Sequence, residues 1–213
     1  MLLKERAFQA IKNGILADQF PGGSFLSERQ IATWLKMSKT PVRAAFERLE
    51  MEGFVTTSPQ QGVVVRELTI REIADHFEMR IALESFVVRH LAGRLTPDQI
   101  EQVTANLEAQ RECVELGDVH GSVRLDGEFH LLICGFFHNE EIKRVMWQTR
   151  EKILRVVQRV HTQHPERLTT NYPEHRAIAE AVIQGDGDLA AQRLLEHLEH
   201  GKQFLMSPRT SRG

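Results

Sequence analysis

The sequence predicts a mainly α-helical fold in two parts: an N-terminal winged helix-turn-helix over residues 1–67 and a C-terminal antiparallel six-helix bundle over residues 68–206. Three observations predict it. Two short amphipathic segments meet at a tight link, Lys36-Met37, and two β-branched runs follow them. From residue 69 onward, apolar residues recur at helical spacing with almost no strand signal. Cap and turn residues cut that stretch into six pieces.

Residues 3–17 carry Ala7, Phe8, Ile11, Ile15 and Leu16 on one helical face, and Pro21-Gly22-Gly23 turns the chain. Ser27 with Gln30 has the spacing of a capping box and opens a helix with Ile31, Trp34 and Leu35 on its apolar side. Ser38 is expected to cap the next helix, with Pro41 in its first turn, Val42, Ala45, Phe46 and Leu49 as its stripe, and Gly53 at its end. Phe54–Thr57 and Val63–Val65 read as strands of a hairpin turned by Pro59-Gln60-Gln61-Gly62.

In the rear part, Thr69 caps a helix to about Leu95, and Thr96-Pro97 starts a second. A third spans about 119–136 and a fourth runs from His138-Asn139 to about His161. Asn171-Tyr172-Pro173-Glu174 is expected to open a fifth. Gly185-Asp186-Gly187-Asp188 precedes a sixth that ends near Phe204. The tail, 207–213, is expected to be disordered.

Of 213 residues, 41% are hydrophobic and 26% charged, an ordinary soluble balance. The longest apolar cluster, Leu131 to Phe137, falls far short of the ~20 residues a membrane span needs. No apolar signal core follows Lys4, Glu5 and Arg6, so a cytoplasmic location with no membrane partner is expected. Cys113 and Cys134 lack metal-knuckle spacing, and two cysteines do not read as a disulfide framework. The net charge of −2 hides an asymmetry: residues 1–66 hold nine Lys and Arg against six Asp and Glu, and the remainder eighteen against twenty-three. A basic front suits nucleic acid. Ser38, Lys39, Thr40 and Arg43, at the N-terminal end of the third helix, are of types that meet phosphates and base edges. A three-helix unit with a hairpin also serves as a protein-interaction module, and that alternative stays open on pattern alone.

Among ten histidines, His76, His90, His120, His138, His161, His164 and His200 read as solvated or capping. Asp126 and His130, four apart on one helix, share a face. They form either a surface pair or two ligands of one ion. His175 and His197 sit among apolar neighbours and suit the bundle interior. Three imidazoles and a carboxylate together suit Zn, Ni, Mn or Fe, but spacing does not establish that they converge.

The runs PGGSFLSERQIATWL and SKTPVRAAFERLEMEGFV, followed by the Gly62 wing, resemble the GntR family of regulators over about 60 residues. The resemblance implies duplex-DNA binding: Arg29 on phosphate, Ser38, Lys39, Thr40 and Arg43 on the operator, and Gln61 and Gly62 near the minor groove. Lys39 stands where the family usually has Arg, and lysine lacks the guanidinium fork that reads guanine. EMRIALE, LDGEFH, EHRAI and LLEHLEH are similar to the C-terminal FCD ligand domain of the FadR-type branch, and six helices point to its VanR-like group. That likeness implies a divalent metal, zinc in a purified sample, on Asp126, His130, His175 and His197. It also implies a small carboxylate effector beside the metal, assisted by Arg80; without the likeness, Arg80 reads as a salt bridge to Glu84. A homodimer on an inverted-repeat operator follows, with Ile153, Val156, Val157 and Val160 as candidate dimer positions. The expected function is an acid-controlled regulator, a repressor. A metal-responsive regulator and a metal-dependent hydrolase are the alternatives.

Overall fold

The computed structural model describes residues 2–58, 62–163 and 168–206. The chain divides into two compact units, Met1–Leu68 and Thr69–Gly213.

The first unit runs α1 (Leu3–Leu16), β1 (Phe25–Leu26), α2 (Glu28–Leu35), α3 (Lys39–Met51), β2 (Val55–Ser58) and β3 (Gly62–Val65). Its core joins Phe8, Ile11 and Ile15 of α1 to Ile31 of α2, Val42, Phe46 and Leu49 of α3, and Val55, Val63 and Val65 of the sheet. Full burial of each large side chain contributes roughly 1.5–3 kcal/mol, so α1 is integral to the unit. The Ser27–Gln30 capping box forms in full. Ser38 occupies the N-cap of α3, but its hydroxyl makes no capping bond. The sheet order is β1-β3-β2, antiparallel throughout. β1, absent from the sequence reading, exists through its pairing of Phe25 with Val64 and Leu26 with Val63. Gly62 opens β3 at φ +90°, a conformation that favours glycine.

The second unit is six helices: α4 (Ile70–Leu91), α5 (Pro97–Leu116), α6 (Val119–Phe136), α7 (Glu140–Gln163), α8 (Leu168–Gln184) and α9 (Gly187–Met206). Thr69 with Glu72 and Thr96 with Gln99 form capping boxes, and Asp118 caps α6 through the Gly121 N–H. α4 packs mainly on α9, α8 on α9, and α5 and α7 on α6. No helix among the described residues is long and apolar enough to cross a membrane.

Three expectations change here. α8 begins at Leu168 and carries Pro173 inside it, so Asn171 is a helical residue and not a cap. Its amide instead donates to Asp126 Oδ1 at 3.1 Å. His161 is buried, its Nδ1 donating to the Val157 carbonyl at 2.8 Å, and His76 is half-buried in a cavity wall. Ile153 is a core residue at 4% exposure, and half-buried Val157 lines the same cavity. His164, Gln61 and the 207–213 tail lie outside the described residues.

Candidate metal centre and recognition helix

Charge in the first unit sorts by position. Lys12 is buried, bonded to Glu52 at 3.0 Å and held over the Phe54 ring. The Arg48 guanidinium lies 3.7 Å from the Phe8 ring centroid and bonds Glu5 and Glu52. Both cations brace the packing of α1 on α3. In contrast, Arg29, Ser38, Lys39, Thr40 and Arg43 are all exposed, the last four along the N-terminal half of α3. Arg43 forms a two-pronged bond to Glu28 of α2, 2.8 Å from Nε and 3.0 Å from Nη2. That bond holds the Arg43 pKa up and the Glu28 pKa down, through hydrogen bonding first. The wing is tied to the same helix: Thr57 donates from its N–H and hydroxyl to the Glu50 carboxylate. Gly62 is exposed at the start of β3.

In the second unit, four side chains converge from three helices. Asp126 and His130 come from α6, His175 from α8 and His197 from α9. One ligand atom of each lies within 4.8 Å of every other. His130, His175 and His197 are 3%, 0% and 5% exposed. Asp126 and His130 therefore share an inward face, and the surface-pair alternative does not hold.

Hydrogen bonds settle which nitrogen each ring presents. His130 Nδ1 donates to Glu84 Oε2 at 2.6 Å, and His197 Nδ1 to Glu174 Oε2 at 2.7 Å. His175 Nδ1 donates to Gln110 Oε1 at 2.8 Å, while the Gln110 amide donates to Asn106, which orients its oxygen toward the ring. With every Nδ1 engaged as a donor, Nε2 is the nitrogen each neutral ring turns toward the others. These nitrogens face one another: His197 Nε2 is 3.2 Å from that of His130 and 3.1 Å from that of His175. His175 Nε2 is 3.6 Å from Asp126 Oδ1. Neutral imidazoles so arranged do not hydrogen-bond each other, and a shared cation would satisfy all three. Two nitrogens each about 2.0–2.1 Å from one ion stand roughly 3 Å apart, so the donor set fits a divalent metal.

The electrostatics agree. Burial, and then the neighbouring His197, push the His175 pKa well below the ordinary imidazole value. Burial and Arg80 lower that of His130. Burial works to raise the Asp126 pKa, but His175, His130, His197 and Arg80 outweigh it and keep the carboxyl ionised. Glu84, 2% exposed, is likewise desolvated, yet Arg80 and His130 bring it down to about 2.

Arg80 Nε donates to Glu84 Oε1 at 2.7 Å, so its salt bridge exists. The same residue also lines a cavity with His76, Asp126, Gly127, His130 and Arg150, walled elsewhere by Val123, Leu131, Met146, Ile153, Leu154 and Val157. About 40 Å³ there is open to the centres of water-sized atoms. A mostly apolar pocket with a few convergent polar groups is the usual form of a small-molecule site.

Sequence reasoning missed Glu84, Gln110 and Glu174 as partners of the histidine rings, and Asn171 as the partner of Asp126. Glu84 had a signal: a charged residue on the apolar stripe of its helix, with Phe77, Val87, Val88 and Leu91.

Comparison with known proteins accounts for both units. Residues 3–65 match the model for bacterial regulatory proteins of the gntR family, and residues 75–200 match the FCD domain. The chain is 27% identical over 203 residues to the HTH-type transcriptional repressor RspR of Escherichia coli K12, covering 92% of this chain and 86% of that one. It is 32% identical over 187 residues to the Nta operon transcriptional regulator of Aminobacter aminovorans, covering 87% of each. Among solved structures, E. coli McbR/YncC superposes with a TM-score of 0.80 at 21% identity over 96% of this chain and 97% of that one. A GntR transcriptional regulator from Rhodococcus sp. RHA1 gives 0.81 at 24% identity, covering 97% and 99%. The exposed N-terminal half of α3 thus sits in a chain that belongs to the GntR family of transcriptional regulators, with an FCD domain as its second unit.

Proposed function

We propose that this regulator is a repressor whose operator affinity is set by a small organic acid, bound beside a divalent metal on Asp126, His130, His175 and His197. The observation that carries the reading is the convergence of three Nε2 lone pairs and an ionised carboxylate at the edge of a cavity that also holds Arg80. When bound, the ion supplies Lewis-acid anchorage for a carboxylate. Glu84, Gln110 and Glu174 hold the imidazoles in the ligating tautomer. Arg80, itself fixed by Glu84, offers a charge-assisted contact to the acid. Arg29, Ser38, Lys39, Thr40, Arg43, Gln61 and Gly62 are the proposed operator contacts. A homodimer would place two such heads on an inverted repeat. The relatives are regulators and not enzymes, so the hydrolase alternative is set aside.

The test joins metal analysis to ligand binding. Protein purified gently at neutral pH is expected to carry about one divalent ion per chain, zinc in a standard preparation, and His175→Ala to lose it. A thermal-shift screen of small acids, with and without chelator, is expected to find acids that stabilise only the metal-loaded protein. A gel-shift titration then reads operator release. Absence of metal, or acid binding indifferent to chelator, overturns the reading. If metal alone changes operator affinity and no acid does, the metal-responsive alternative replaces it.

A further inference from the structure

The cavity beside the histidines contains a second guanidinium. Arg150, on α7, lines it together with Arg80, Asp126 and His130. One arm of Arg150 is anchored, with Nη2 donating to the Arg124 carbonyl at 3.1 Å. Its Nε is buried and has no hydrogen-bond acceptor among the described residues. A buried N–H without an acceptor is costly, and a ligand oxygen in the cavity would satisfy this one.

The fold makes room for it at a specific place. A Cβ on Gly127, the residue after Asp126, would lie 2.1 Å from Arg150 Nε and 2.9 Å from Cζ. Gly127 sits inside α6, where alanine is intrinsically favoured over glycine. Helix stability therefore does not account for glycine there, whereas seating the guanidinium against the helix backbone does. No acidic side chain is among the residues lining the cavity other than Asp126, which faces the histidines. Arg80 shares its charge with Glu84 through Nε; Arg150 makes no ion pair among the described residues.

We propose that Arg150 is the second anion-binding group of this cavity and that the acid it selects is a short dicarboxylate. One carboxylate lies at the metal and Arg80; the other accepts from Arg150. The inference rests on the acid-beside-metal reading above and adds the chemical class of the ligand. Leu131, Met146, Ile153, Leu154 and Val157 would cover the carbon chain between the two charged ends.

The experiment is calorimetric titration of the zinc-loaded full chain with matched acids: butyrate against succinate, and pentanoate against glutarate. A charge-assisted hydrogen bond to the buried Nε–H of Arg150 predicts that at least one dicarboxylate binds about tenfold or more tightly than its monocarboxylate partner. Arg150→Gln is expected to abolish that preference while keeping monocarboxylate affinity and zinc content. Gly127→Ala is expected to do the same without loss of thermal stability, since its methyl group displaces Arg150. Equal affinities within each pair in the wild type overturn the proposal and leave the parent reading standing. A preference that survives Arg150→Gln also overturns it, because chelation of the metal then explains the selectivity. If no acid of either kind binds the zinc-loaded protein, both readings fall together.

Discussion

Glu84→Gln is the sharpest probe of the histidine cluster, because one carboxylate serves two buried partners. Its oxygens accept from Arg80 Nε at 2.7 Å and from His130 Nδ1 at 2.6 Å, and Glu84 and Arg80 side chains are 2% and 12% exposed. The substitution preserves shape and removes the charge. Its magnitude follows by two routes. Depression of the Glu84 pKa from 4.5 to about 2, at ~1.4 kcal/mol per unit, corresponds to about 3 kcal/mol. Removing one member of a buried ion pair costs ~3–5 kcal/mol by analogy with measured cases. With roughly 2–4 °C per kcal/mol for a unit of this size, the metal-free second unit should melt about 6–12 °C lower. Zinc affinity should fall roughly 10–100-fold, since His130 loses the carboxylate that fixes its tautomer.

The assay can isolate the second unit. The chain has two tryptophans, Trp34 in the first unit and Trp147 in the second, so fluorescence in a Trp34→Phe background follows the helical unit alone. Because the native carboxyl titrates below its unfolded value, its contribution is complete above pH 4.5 and is lost as pH falls from there toward 2. The gap between wild type and variant should close across that window. A variant melting within about 1 °C of wild type, with unchanged zinc affinity, would refute the assignment of Glu84 to both partners.

Three further outcomes are expected. Arg43→Ala should abolish specific operator binding and leave the fold intact, since the residue is exposed and bonded only to Glu28 among the contacts described; near-wild-type binding at fixed salt would contradict its role. Lys39→Arg should sharpen base discrimination about tenfold if that position reads guanine; unchanged discrimination in competition gel shifts would assign Lys39 to phosphate. Metal-free protein should lose stability as pH falls below about 6.5, because the unfolded chain then binds protons that buried His175 and His130 do not. Thermal melts from pH 8 to 5.5 check this, and a flat profile would show that the native imidazoles already carry the protons.

Legibility followed the range of the interaction. The Ser27-x-x-Gln30 box and the caps at Thr69 and Thr96 were readable because a cap involves residues close in the chain. β1 was not, because two residues carry no period and acquire strand character only by pairing with β3. Asn171-Tyr172-Pro173 mimicked a helix start, but an early proline costs α8 one N–H bond and the Asn171 amide is spent on Asp126. The four candidate ligands were legible by residue type and family likeness. Their tautomers were not, since Glu84–His130, Gln110–His175 and Glu174–His197 span 46, 65 and 23 residues. Gln110 still left a trace: it lies seven residues after buried Val103, on the same face of α5.

Those long-range bonds bear on how a ligand would act. The candidate ligands join α6, α8 and α9 directly, and Glu84 and Gln110 extend the network to α4 and α5. α7 contributes no ligand among the described residues, but supplies Met146, Arg150, Ile153, Leu154 and Val157 to the cavity wall. A metal on this cluster would therefore staple five helices and leave the sixth to be engaged by the acid. Differential contact with one helix is the minimum physical basis for coupling, since a ligand shifts an equilibrium only by its unequal affinity for two states. Hydrogen exchange tests this division. Zinc should protect α4, α5, α6, α8 and α9, and the acid should add protection in α7 of the zinc-loaded protein. Protection of α7 by zinc alone would mean that the acid has no separate element to move.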